Sequence, residues 1–118
     1  MTTLDSSDYL DWEKTVQQQR NETFARLIVP VFAEDLRNLQ TQMNDQYAHQ
    51  DLEALKRTIH HIHGACCFCS SPMLEKYSSK LNRQLEQNDD SKLKEHIEQL
   101  NDIISHVLKA VKPYINAQ

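Results

Sequence analysis

Glycine is almost missing from this 118-residue chain: there is one, alongside three prolines and 7% aromatic residues. With so few turn formers and few runs of β-branched residues, a composition rich in Leu, Gln, Glu and Lys excludes a sheet and favours an all-helical fold. No apolar run is long enough to cross a bilayer, and the polar start from Met1 to Asp8 lacks the basic and apolar regions of a signal peptide. The expectation is a cytoplasmic module with no direct membrane contact. Thirteen Lys and Arg against seventeen Asp and Glu leave a net charge of −4 and no basic stripe, which argues against a nucleic-acid partner. The three cysteines, Cys66, Cys67 and Cys69, are too close together to staple distant segments, so reduced thiols are expected. A Gly-rich nucleotide loop and a carboxylate cluster for Mg²⁺ are absent as well.

What is present is helical periodicity. A short helix is expected over about Asp8 to Arg20, capped by Ser6 or Ser7, with Tyr9, Trp12 and Val16 on one face. A second runs from about Glu22 to Asp45 behind an Asn21 cap, with Phe24, Leu27, Ile28, Val31, Leu36, Leu39 and Met43 inward and an interruption or kink at Pro30. The third spans about His49 to Phe68. The fourth restarts at Ser71-Pro72, runs to about Gln87 and turns Leu74, Ser78, Leu81 and Leu85 inward. The fifth places Leu93, Ile97, Leu100, Ile104, Val107 and Val111 at alternating spacings of four and three, with Pro113 as its stop. Residues 1–118 are too few for two domains. The prediction is one antiparallel four-helix bundle with a short additional N-terminal helix and an ordered core over about 8–113.

The single glycine sits inside the third helix, in His60-His61-Ile62-His63-Gly64-Ala65-Cys66. An unforced glycine costs a helix interior about 1 kcal/mol relative to alanine, so its presence implies a surface that must stay bare. Leu52, Leu55, Ile59, Ile62, Cys66 and Cys69 form the buried seam of this helix, while Lys56, His60, His63, Gly64 and Cys67 share a neighbouring stripe. That stripe presents His60 with a cation one turn before it and a bare backbone one turn after. A neutral imidazole is nucleophilic at physiological pH, since its unperturbed pKa is near 6.5.

This pattern resembles the histidine phosphotransfer (Hpt) domain: a histidine, any residue, an aliphatic residue, usually lysine, then glycine and two small residues. His60 to Cys66 occupy those positions in order, with His63 where the family usually carries lysine. Histidine there, followed by small residues and a proline-marked restart, looks most like the C-terminal Hpt modules of BarA/GacS-type tripartite hybrid sensor kinases. The similarity extends from about Asp11-Trp12 to the end of the chain. It implies a phosphoryl carrier without autokinase activity, in which His60 accepts a phosphoryl group from a receiver-domain aspartate and passes it to the aspartate of a response regulator. Lys56 and His63 would support the phosphate, Gly64 would admit the partner, and Asn82 would orient the histidine. The module would need no cofactor of its own, Mg²⁺ residing in the partner receiver, and would be a monomer excised from a larger sensor kinase.

Two rival readings belong to other classes. His60, His63 and Cys67 lie at i, i+3 and i+7 and offer three zinc ligands, although no fourth is evident. Alternatively the bundle is a plain helical interaction domain with an incidental histidine. His61, pointing elsewhere on the helix, reads as a surface residue, as do His49, His96 and His106, and Trp12 and Tyr77 read as packing residues.

Overall fold

Asx side chains open three of the helices. Asp11, Asn21 and Asp51 each accept the backbone N–H three residues on, from Lys14, Phe24 and Ala54, at 3.1, 3.0 and 3.2 Å. Each bond satisfies one of the donors that a helix start leaves unpaired. The computed structural model describes residues 6–115, so residues 1–5 and 116–118 of the expected domain lie outside the described residues. Its elements are α1 (Ser6–Tyr9), α2 (Trp12–Gln19), α3 (Glu22–Ala48), α4 (Leu52–Ala65), α5 (Pro72–Glu86) and α6 (Leu93–Ile115). Among the described residues there is no strand, and no helix is long and apolar enough to cross a membrane.

Short connections make α3 to α6 successive antiparallel neighbours. α3 packs on α4 and α6, and α5 packs on α4 and α6, which closes a four-helix bundle with α1 against α5 and α6 and α2 against α3. Leu36, Met43, Leu55, Ile59, Ile62, Leu74, Leu100, Ile104 and Val107 are among its fully buried side chains. An amide cluster sets the register of α3 against α6: Gln40 Nε2 and Asn44 Nδ2 both donate to Asn101 Oδ1, at 2.9 and 3.0 Å, and Asn101 Nδ2 returns a bond to Asn44 Oδ1 at 2.8 Å.

Several boundaries differ from expectation. The N-terminal helix is two pieces, because Asp11, not Ser6 or Ser7, caps the second. At that break Asp11 N–H donates to Ser70 O at 2.8 Å, and Ser70 N–H donates to Thr15 Oγ1 at 2.9 Å, which fastens α2 to the turn after α4. α3 continues unbroken through Pro30, which faces solvent, where water can reach the carbonyl left without a donor. α6 likewise runs through Pro113 to Ile115, held by Tyr114 stacked on Trp12 at 4.3 Å. Ser71 has the extended backbone of a cap and Pro72 follows it, but Ser71 Oγ makes no capping bond and is buried without a partner.

The inward face of α3 also shifts. Leu36, Leu39 and Met43 are buried as expected, Ile28 is half-buried, and Phe24, Leu27 and Val31 face solvent. Ala25, Val29, Phe32 and Ala33 are buried instead. Ala25, Val29, Phe32, Leu36, Leu39 and Met43 form one seam at alternating spacings of four and three, and small Ala25 and Ala33 fit against neighbouring helices. The first half of α3 is apolar nearly all round, so its own pattern did not choose between two stripes.

Candidate phosphoacceptor groove

Thr58, Ile59, Ile62 and Ala65 turn into the core, and this leaves His60 on the solvent side of α4. One turn earlier stands half-buried Lys56, and one turn later exposed Gly64. The antiparallel α5 supplies the opposite wall. Lys56, Arg57, His60, His61 and Gly64 from α4, with Asn82 and Glu86 from α5, line an open groove of about 570 Å³.

Gly64 has helical backbone and no positive φ, so its conformation does not require glycine. A Cβ built there meets nothing within 4 Å. Nothing inside the described molecule accounts for the missing side chain. The space it leaves opens outward beside His60.

Of the residues singled out from the sequence, Lys56, His60, Gly64 and Asn82 come together. His63 does not: it is half-buried and outside the groove lining. Three residues on from His60, it lies about 60° round the helix, on the flank opposite Arg57. Asn82 lines the groove, yet the hydrogen bond its side chain makes goes from Nδ2 to Glu86 Oε1 at 3.1 Å, not to His60. Its Oδ1 is buried without a partner.

Arg57, His61 and Glu86 were not anticipated in the groove. Arg57 stands three residues before His60, a spacing that places two side chains on one helix face, so the signal was present. For His61 the helical spacing predicts a direction away from the site. His61 lines the groove and its Nε2 lies 4.0 Å from Asp35 Oδ2 of α3. Glu86 had no sequence signal, because it arrives only through the packing of α5 on α4. Beyond the His61–Asp35 pair a second, apolar hollow of about 240 Å³ is lined by Ile28, Val31, Phe32, Asp35, Ala65 and Phe68. Phe68 and Val31 of its lining are exposed, as are Leu27 and Phe24 earlier on α3.

The zinc arrangement fails on geometry. α4 ends at Ala65, and Cys67 lies in the tighter turn that follows, where Cys67 N–H donates to Gly64 O at 3.0 Å. Among the described residues no three His, Cys, Asp or Glu side chains gather to hold a metal ion. Cys66 and Cys69 are buried and Cys67 is exposed. Burial, reinforced for Cys66 by the Glu75 carboxylate, pushes both buried thiols up from 9.0 to about 12, so they stay protonated and unreactive.

Comparison with known proteins agrees with this architecture. No curated protein matches the chain. The crystal structure of the Hpt domain from a sensor hybrid histidine kinase of Shewanella superposes with a TM-score of 0.86, covering 97% of this chain and 98% of that one, at 22% sequence identity. The likeness at that identity is one of fold. The family model described as "Hpt domain" matches residues 28–110, which include the whole of α4 and α5 and every residue of the groove. The chain belongs to the Hpt domain family.

Proposed function

We propose that this bundle is the histidine phosphotransfer module of a two-component phosphorelay, with His60 as the phosphoacceptor. The observation that carries the proposal is Gly64: a glycine that neither backbone conformation nor internal packing requires, one turn from an exposed histidine flanked by Lys56 and Arg57. A bare backbone at that place serves a second macromolecule approaching His60.

The chemistry follows from the groove. A ring-nitrogen lone pair of neutral His60 attacks the phosphorus of a receiver phosphoaspartate. The P–O bond to the aspartate breaks, a P–N bond forms, the carboxylate is regenerated and the imidazole proton leaves to solvent. The phosphoramidate retains a high transfer potential, so attack by the aspartate of a second receiver reverses the sequence. Lys56 and Arg57 offer positive charge to the phosphoryl oxygens, while positioning and Mg²⁺ come from the receiver. In this reading the module acts as a carrier, taking up and giving away the phosphoryl group through His60.

The apolar surface around Phe68 and Val31 adjoins the groove and suits a modest, transient contact with the receiver. This reading places the module in the cytoplasm as a monomer that meets the receivers of a hybrid sensor kinase and of a response regulator in turn.

Incubation with a phosphorylated receiver and Mg²⁺, followed by intact-mass measurement, tests the proposal. One acid-labile phosphoryl group is expected on the wild type and none on His60→Gln, with helicity unchanged. Labelling that survives in His60→Gln would move the site elsewhere, and indifference to several phosphorylated receivers would favour a plain interaction domain.

A further inference from the structure

The groove contains one carboxylate. Glu86, the last residue of α5, is exposed, and an exposed glutamate ordinarily swings freely in water. Here it is tethered: Asn82 Nδ2 donates to Glu86 Oε1 at 3.1 Å, and both side chains line the wall opposite His60. The tether has a polarity. Asn82 Oδ1 points into the protein with no partner, and rotating the amide to satisfy it elsewhere would set that oxygen against an acceptor-only carboxylate. Asn82 and Glu86 therefore hold one another, with a negative charge kept at the mouth of a groove whose other fixed charges, Lys56 and Arg57, are positive.

Resting on the phosphocarrier reading, we infer that Glu86 raises the phosphoryl transfer potential of His60 by repelling the phosphoryl group it carries. A phosphoryl group on His60 brings about two negative charges into the groove. Lys56 and Arg57 stabilise that state, and Glu86, lining the same groove, opposes them, with a repulsion that salt screens over roughly 10 Å at ordinary ionic strength. As the P–N bond breaks, negative charge leaves the groove, so the repulsion is relieved on transfer. The cations favour loading and Glu86 favours discharge. Asn82 thereby acts as the anchor of this charge, a role distinct from hydrogen bonding to His60.

The experiment loads the protein with phosphoramidate, a small-molecule donor that needs no partner. The P–N bond of the donor breaks, ammonia leaves, and a P–N bond to His60 forms. After desalting, decay of the phosphorylated form is followed by intact mass; in this decay water attacks phosphorus and the imidazole regains its proton. Glu86→Gln keeps an acceptor for Asn82 while removing the charge, and it should lengthen the half-life about two- to fivefold at low salt, with the difference shrinking at 0.5 M salt. Asn82→Ala frees the tether and should lengthen it less. An unchanged or shorter half-life in Glu86→Gln, with wild type loaded on His60, overturns the inference and leaves the carrier reading standing. A lengthening that salt does not alter also overturns it, since only a charge effect is screened. Failure of wild type to load His60 from both phosphoramidate and phosphorylated receivers would remove the carrier reading, and this inference with it.

Discussion

At the residue scale, Gly64 separates folding from function most cleanly. A methyl group at this position meets open space, and alanine is the better helix former, so Gly64→Ala should stabilise the free protein by about 0.5–1 kcal/mol in denaturant unfolding. A large side chain such as Gln or Phe should leave the fold intact and slow transfer from a receiver strongly; an undiminished transfer rate would remove the docking argument. The cysteines show the opposite dependence on burial. At pH 8 an aromatic disulfide reagent should modify one thiol per chain quickly, Cys67, and reach Cys66 and Cys69 only on unfolding. The raised thiol values contribute stability that is whole below about pH 9, the unfolded value, and is lost as pH rises through about 12. Denaturant midpoints should therefore decline across that window. Lys56, His60 and Gly64 were legible from spacing along one helix. His63 stands outside the groove lining because the groove is tilted toward the Arg57 side of α4, a direction that spacing along one helix does not give.

At the element scale, the scarcity of glycine has a structural consequence. Arg20, Gln50 and Asn88, which follow the ends of α2, α3 and α5, all take left-handed backbone with φ of 60°, 56° and 57°. Such positions ordinarily favour glycine, because a Cβ crowds the following carbonyl there. Gln50→Gly should stabilise the protein by about 1 kcal/mol, read as a higher urea midpoint at unchanged slope; a lower midpoint would mean that glycine's extra unfolded-state entropy outweighs the relief. The turn after Asn88 is organised differently. Ser91 donates its N–H and its hydroxyl to Asp89 Oδ1 at 3.3 and 2.7 Å, holding that carboxyl below its usual range. Its contribution is present above the ordinary carboxylate pKa and is lost as pH falls through the lowered value. The four long helices, the cap at Asn21 and the inward faces of α5 and α6 followed from local sequence pattern. Pro30 and Pro113 do not end their helices, since each sits at an exposed position and α6 is held beyond Pro113 by Trp12.

At the scale of the whole molecule, α1 and α2 are joined to α6 by aromatic stacking. Trp12 lies against Tyr114 with ring planes 17° apart, and the Arg26 guanidinium lies 5.1 Å from the Trp12 ring centre. Tyr9 stacks on His106 of α6 at 4.8 Å. Trp12 is the only tryptophan, so its fluorescence reports on this junction of α2, α3 and α6. For a domain of this size, unfolding followed by Trp12 fluorescence and by far-ultraviolet circular dichroism should coincide; an earlier fluorescence transition would show the N-terminal helices releasing before the bundle. The amino-acid sequence by itself determined the all-helical class, the four long helices and the placement of His60 and Gly64 on one solvent-facing stripe. Those properties depend on residues a few positions apart, related by the fixed geometry of a single helix. Which stripe of α3 is buried, the arrival of Glu86 opposite His60, the partner of Asn82 and the scattering of His60, His63 and Cys67 were decided by tertiary structure. Each depends on how two helices pack against each other or on where a helix ends, and the periodicity of one segment carries no information about its neighbour's register.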